Sequence, residues 1–234
     1  MKQEIWHGDC LELMKDIPDK SIDMILCDLP YGTTQNKWDS IIPLDLLWEH
    51  YERIIKDNGC IALFSQTPFD KVLGNSNLKL LKYEWIWQKS KPTGHLNSKK
   101  MPLKEHENIL VFYKKLPTYN PQGLIKKEIA TIRKGRSGNG TNYGKSDNDA
   151  LQEFENYPRD ILKFQSETIT IHPTQKPVAL LEYLIKTYTN ENDLILDNCM
   201  GSGTTCLAAK NLNRQFIGIE KEKEYYDICL ERLK

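Results

Sequence analysis

No Cys-x-x-Cys pair occurs in the 234 residues, although there are six cysteines, at positions 10, 27, 60, 199, 206 and 229. They are scattered and mostly embedded in apolar runs, so neither a metal site nor a disulfide framework is expected. Free thiols fit a reducing cytoplasm, which is the expected compartment. No apolar run approaches the ~18 residues of a membrane span. The first residues, Met1-Lys2-Gln3-Glu4, lack the apolar stretch of a signal peptide. No internal repeat is visible. Net charge is also missing, since 32 basic residues face 32 acidic ones. The balance conceals a segregation: between Lys89 and Lys145 there are 13 basic residues and only 3 acidic ones, Glu105, Glu107 and Glu128. That basic excess suits a polyanionic partner. An enzyme acting on a small substrate would not need such segregation.

The size and composition suit a globular protein with one sizeable core and a modest insertion. Ile5-Trp6-His7 is a short apolar start that leads into Gly8-Asp9-Cys10. Residues 22–27 read as a buried strand. Over 43–56, Leu44, Leu47, Tyr51, Ile54 and Ile55 recur at helical spacing, with Asn58-Gly59 as the expected stop. Residues 60–64 are a strand and 68–76 a second helix. Strands follow at 83–87 and 109–113. A helix over 177–188 begins at Pro177 and carries an apolar stripe through Leu180, Leu181, Leu184 and Ile185. Then come a strand at 194–196, a helix at 204–212, a strand at 216–219 and a closing helix at 225–233. This alternation predicts an α/β fold with a mostly parallel sheet and helices on both faces. The rhythm stops between 114 and 159, where Gly and Pro are frequent and apolar residues few. That stretch reads as an insertion that orders on its partner. Trp85 and Trp87, spaced two apart, read as core packing rather than as platforms for bases.

Three motifs carry chemistry. Asp28-Leu29-Pro30-Tyr31 places an acid, a rigid turn and an aromatic ring at the carboxyl edge of a buried strand, where open α/β sheets bind ligands. Residues 194–205 run strand, Gly201-Ser202-Gly203 turn, helix, and Glu220 follows at the end of the next strand. Glycines admit a ligand close to the backbone, a helix start offers free N–H groups, and an acid after the next strand suits ribose hydroxyls. The third glycine of the dinucleotide fingerprint is missing, which counts against a nicotinamide cofactor. His172-Pro173-Thr174-Gln175-Lys176-Pro177 puts several donors at a helix start, which suits a carboxylate.

The order of these motifs resembles that of the β-class amino DNA methyltransferases, and the resemblance covers nearly the whole chain. In that family a D/S-P-P-Y catalytic motif comes first, a target-recognition region second, and H-P-T-x-K-P with the Gly-rich cofactor motif last. Gly8-Asp9-Cys10, Asn58-Gly59-Cys60, Trp85-Ile86-Trp87-Gln88-Lys89 and His106-Glu107-Asn108-Ile109-Leu110 look like smaller family elements. The resemblance implies a circularly permuted Rossmann-like fold that uses S-adenosyl-L-methionine. It divides the chain into a catalytic domain, 1–113 and 166–234, and an inserted target-recognition region, 114–165.

The implied catalytic residues are Asp28, Leu29, Pro30 and Tyr31. The Asp28 carboxylate and the Leu29 carbonyl would accept the hydrogens of the target amine, and Tyr31 would stack on a base flipped from the duplex. The implied cofactor site gathers Asp9, Cys10 and Asp28 with His172, Thr174, Gln175 and Lys176. Its Gly-rich part runs Asp197, Cys199, Met200, Gly201, Ser202, Gly203 and Thr204, closed by Glu220. Lys89, Lys91, Arg133, Lys134 and Arg136 are the candidates for DNA phosphates, and double-stranded DNA is the implied partner. Leu29 departs from the family, which usually has proline there; the carbonyl survives the change and the rigid φ does not. Aspartate at 28 favours adenine N6 by analogy with the family. Cytosine N4, a protein glutamine amide, and a DNA-binding protein without catalysis are the competing readings. The sequence leaves open whether the chain acts alone or as a homodimer.

Overall fold

The computed structural model describes residues 2–33, 39–134, 148–167 and 175–234. In chain order the elements are β1 Gln3–His7, α1 Cys10–Leu13, β2 Ile22–Asp28, α2 Leu44–Ile54, β3 Ile55–Ser65, α3 Phe69–Ser76, β4 Leu81–Thr93 and β5 Lys104–Phe112. They continue with β6 Ile125–Arg133, β7 Ala150–Glu155, β8 Ile161–Lys163, α4 Val178–Tyr188, β9 Leu194–Asp197, α5 Thr204–Asn211, β10 Gln215–Glu220 and α6 Lys223–Arg232. Among the described residues, no helix is long and apolar enough to cross a membrane. All six cysteines are free.

The alternation of side chains along each strand builds two cores, one on each face of the main sheet. On β3, Cys60, Ala62 and Phe64 face one core while Ile61 and Leu63 face the other. β5 divides in the same way, Ile109 and Val111 against Leu110 and Phe112. The first core is closed by α4, α5 and α6 through Leu180, Leu184, Cys206, Ala209 and Cys229. The second is closed by α2 and α3 through Leu47, Tyr51, Ile54, Phe69 and Leu73. Trp85 and Trp87 are buried in the first core, as their spacing suggested.

Among the described residues, eight strands form the main sheet in the order β1-β10-β9-β2-β3-β5-β4-β8. From β1 to β3 every pairing is parallel, and β5 is antiparallel to both β3 and β4. Although β2 and β9 are separated by most of the chain, they are neighbours, with Ile25 opposite Leu196. From β2 the chain goes on to β3 on one side, and from β9 to β10 on the other. The β2–β9 junction is therefore the switch point of the sheet, outside which ligands bind in open α/β folds.

Helix α2 stops at Ile54, before the expected Asn58-Gly59 signal, and both of those residues lie inside β3. A Cβ at Gly59 would fall 2.7 Å from the Ile55 side chain and 2.9 Å from the Asp23 carbonyl. Gly59 thus serves the close approach of β3 to β2, where the register shifts, and not a helix stop.

The segment expected to lack regular structure contains the antiparallel pair β6–β7, with Ile125 opposite Glu155 and Arg133 opposite Ala150. It forms a compact unit over Pro121–Arg159, separate from the unit made of the rest of the chain. These bounds are narrower than 114–165. Residues 114–120 are tied to the main unit: the Lys115 N–H donates to the Asp57 carbonyl and the Asn120 N–H to the Thr187 carbonyl. At the other end Asp160 accepts from the Ile86 N–H, and β8 pairs with β4.

Candidate active site

Parallel pairing brings the carboxyl ends of β1, β10, β9, β2 and β3 to one edge of the sheet. Asp9, Glu220, Asp197, Asp28 and Ser65 gather there, and the start of β5 adds Glu107 and Asn108.

Asp28 ends β2 with its side chain about one quarter exposed. The Tyr31 hydroxyl donates to its Oδ1 at 2.6 Å, and the Lys176 ammonium to its Oδ2 at 2.5 Å. Lys176 also lies 3.2 Å from Glu107 Oε2, and Glu107 Oε1 is paired with Lys89. Two ammoniums and two carboxylates therefore form one buried, electrically balanced cluster. Burial pushes the Asp28 carboxyl above its usual range and the repulsion of Glu107 adds to this, with Lys176 opposing. For Glu107 the burial is outweighed by Lys176 and Lys89, which hold it below its usual range. The Lys176 ammonium loses by burial but is held up more strongly by Asp28 and Glu107, so it stays charged. The Tyr31 ring stacks on Phe69, with centroids 5.4 Å apart. Leu29 is buried, whereas Pro30 is partly accessible.

The Gly-rich turn is braced from below. Glu220 Oε2 accepts from the Gly201 N–H at 2.8 Å, and its Oε1 from the Glu222 N–H at 2.8 Å. Gly201 and Gly203 have φ of +51° and +75°, and Gly203 caps the start of α5. Asp197 is buried, accepts from the Cys199 N–H at 3.1 Å, and is pushed up to about 6 by burial. At the end of β1, Asp9 caps α1 by accepting from the Leu11 N–H, and its other oxygen meets Lys221.

The expected site residues divide into groups. Asp9, Cys10, Asp28, Asp197, Cys199, Gly201 and Glu220 come together at the sheet edge. Lys176 is also there, but its partner is Asp28, where a donor to the cofactor was expected. Ser202 and Thr204 are engaged by the Arg232 guanidinium, and Met200 is buried against the Cys206 and Cys229 sulfurs. Gln175 is half-buried. His172, Thr174 and Arg136 lie outside the described residues. Lys89, grouped in the sequence with the phosphate-contacting residues, is turned inward to Glu107, whereas Lys91 is exposed. Arg133 and Lys134, in the separate small unit, are exposed as well. Glu107 itself was missed. Its motif was visible, but its link to Asp28 runs through Lys176, 148 residues from Asp28 in the chain.

Asp197 yields a test of stability. An aspartate titrates near 3.9 when unfolded, and this one titrates at about 6 when folded. Below about pH 4 both states are protonated and the group costs nothing. Above about pH 6 the folded state holds a buried charge at a cost on the order of 3 kcal/mol. Asp197→Asn is therefore expected to raise the melting temperature at pH 8 and leave it nearly unchanged at about pH 3. Melting curves at the two pH values check this, and equal stability of the two proteins at pH 8 would refute it.

The profile of the N6/N4 DNA methylase family matches residues 22–231. Type II methyltransferase M.BglII of Bacillus subtilis is 31% identical over 261 residues, covering 98% of this chain and 68% of that protein. The DNA adenine methyltransferase YhdJ of Escherichia coli (strain K12) is 31% identical over 248 residues, covering 98% and 82%. Among solved structures, the M1.HpyAVI–SAM complex superposes with a TM-score of 0.68 at 30% identity, covering 98% of each chain. With the matched profile spanning both the Asp28 turn and the Gly-rich turn, the chain belongs to the N6/N4 DNA methylase family.

Proposed function

We propose that the chain transfers a methyl group to the N6 amine of an adenine flipped out of duplex DNA, with Asp28 as the catalytic carboxylate. The observation that carries this reading is Asp28 itself, a partly exposed carboxylate at the switch point of the sheet, oriented by Tyr31 and Lys176 and flanked by the Gly-rich turn. Aspartate at this position, as opposed to serine, is what favours adenine over cytosine.

S-adenosyl-L-methionine, the methyl donor of this family, supplies an electrophilic methyl group when bound. The residues present suit it. Gly201 keeps the backbone open, and the carboxylates of Asp9 and Glu220 have acceptor capacity left for hydroxyl or amino groups. Asp197, Cys199 and Cys10 complete that side of the crevice.

An exocyclic amine is a weak nucleophile because its lone pair is delocalised into the ring. Positioning and a strong acceptor are therefore the main contributions open to the protein. Asp28 accepts one amine hydrogen and the Leu29 carbonyl the other, which favours a tetrahedral nitrogen. The nitrogen sheds a proton once it is methylated, and a carboxyl held above the usual range is a good acceptor for it. Tyr31 keeps the carboxylate in place through its hydroxyl and offers ring surface to the base. The unit over Pro121–Arg159, with Arg133 and Lys134, recognises the target duplex.

The direct test is transfer from radiolabelled S-adenosyl-L-methionine onto duplexes of varied sequence, followed by nucleoside analysis. N6-methyladenine is expected. N4-methylcytosine would replace the adenine reading with the other branch of the family, and no labelled DNA at all would overturn both. DNA affinity is also expected to fall steeply with salt. Neutralising Arg133 and Lys134 together should reduce the slope of log K against log salt by about 0.9 for each phosphate that they neutralise in the wild type. An unchanged slope, measured by fluorescence anisotropy, would remove these two residues from the DNA interface.

A further inference from the structure

Glu107 has no part in the transfer outlined above, yet its carboxylate is buried among the charges that hold Asp28. Its Oε1 is paired with Lys89. Its Oε2 lies 3.2 Å from the Lys176 ammonium but is not aligned for a hydrogen bond. Among the described residues it is the one buried side-chain oxygen without a hydrogen-bond donor. That oxygen is paired by charge alone and has capacity left to accept a hydrogen bond from the ammonium beside it.

Asp28 presents the opposite problem. Its Oδ2 is bound to the same ammonium at 2.5 Å and its Oδ1 to the Tyr31 hydroxyl at 2.6 Å. An oxygen held so tightly by a cation is a poor acceptor for the hydrogen of an amine. Withdrawing Lys176 from both carboxylates would leave a buried cation without a partner, which is strongly unfavourable. Lys176 is enclosed by the Phe64 and Tyr31 rings, 5.2 and 5.8 Å from its nitrogen, so no water-filled retreat is at hand.

We propose that Glu107 is a positioning residue that receives the Lys176 ammonium when the target amine arrives, so that the Asp28 carboxylate is released to the substrate while the cation stays paired. The proposal rests on the methyltransferase reading above and names a residue which that reading leaves idle. The required motion is small, because Lys176 is already within ion-pair distance of Glu107. No bond forms or breaks, since one ammonium changes its hydrogen-bond acceptor. Lys89 complements the arrangement by holding the other Glu107 oxygen and fixing the carboxylate.

The charged and titratable groups facing Asp28 are Lys176, Glu107 and Tyr31, with Asp197 on β9 and Cys27 on its own strand. Removing the charge of Glu107 takes a repulsion away from Asp28 and gives it the whole of Lys176. Asp28 should then titrate at lower pH while reacting more slowly at every pH where it is ionised. A residue needed only for folding would change neither the Asp28 titration nor the plateau rate of the protein that remains folded.

The experiment is single-turnover methylation across pH at saturating DNA and S-adenosyl-L-methionine, for the wild type, E107Q, the charge-balanced E107Q/K89M and E107Q/K176M. Direct binding of both ligands and a carboxyl-carbon NMR titration of the ligand-free proteins accompany it. In both E107Q and E107Q/K89M the plateau rate should fall by about tenfold to a hundredfold with ligand affinities retained. The Asp28 titration should move to lower pH in E107Q. In E107Q/K176M, where the ammonium bound to Asp28 is gone and Lys89 keeps the charge balanced, part of the rate should return. The charge-balanced variant keeps the test open should E107Q alone not fold. A plateau rate in either folded variant equal to that of the wild type, or no recovery in E107Q/K176M, would overturn the proposal. A wild type that methylates no DNA would overturn the methyltransferase reading, and the ligand-free titration would then still test the charge arrangement.

Discussion

Replacing Asp28 by alanine is expected to lower the single-turnover rate of methyl transfer on the order of a thousandfold, within the range lost when a positioned acid–base group is removed. DNA affinity should stay close to that of the wild type, because phosphate contacts are made elsewhere on the protein. The fold should survive. Without Asp28, the Lys176 ammonium still has Glu107 at 3.2 Å, so the buried cation is not orphaned. The Tyr31 hydroxyl does lose its acceptor, at a cost of about 1–3 kcal/mol. A rate assay beside a melting curve and an anisotropy titration separates the roles. A merely structural Asp28 would lower stability, binding and rate together. A folded variant that still methylates at near the wild-type rate would show that the carboxylate is not the group acting on the amine.

The second large effect belongs to Gly203. Its φ of +75° is one that alanine adopts at a cost, and a Cβ there would overlap the Cys229 sulfur on α6. Strain and overpacking together should cost about 2–4 kcal/mol in Gly203→Ala. For a chain of this size that is a fall in Tm on the order of 10 °C. The Gly-rich turn would be displaced at the same time, so S-adenosyl-L-methionine should bind more weakly. The two causes can be separated by adding Cys229→Ala. That change relieves the sulfur overlap and leaves the backbone strain, so the double variant should recover part of the stability but not all of it. Differential scanning calorimetry decides the matter, and an unchanged Tm in Gly203→Ala would refute the account.

Much of the frame was legible from local pattern alone. Apolar runs bounded by turn residues marked β2, β3, β9 and β10, because strands buried on both faces must be apolar at nearly every position. The helical spacing of Leu180, Leu181, Leu184 and Ile185 marked α4 within one residue at its start. Asp28 and Glu220 were legible as strand-end acids for the same reason. The end of α2 is not legible locally, because Asn58-Gly59 is a helix stop in most contexts. Here the tight approach of β3 to β2 required the glycine, and that approach involves residues far away in the chain.

Local pattern determined which runs are apolar enough to be core strands and helices, roughly where those elements lie, and that acids and glycines follow particular strands. It also determined the concentration of basic charge between Lys89 and Lys145. Periodicity and turn chemistry act over a few residues, so a sequence can display them directly. The tertiary structure decided what those residues do to one another. It placed β2 beside β9, and so set Asp28 next to the Gly-rich turn. It turned Lys89 inward, assigned Lys176 to Asp28 and Glu107, and gave Glu220 the bracing of Gly201 and Glu222. Each of these is an interaction between charged or polar groups brought together by strand order, and its strength depends on burial. Neither strand order nor burial is a property of any short stretch of the chain, which is why these interactions became visible only in the folded protein.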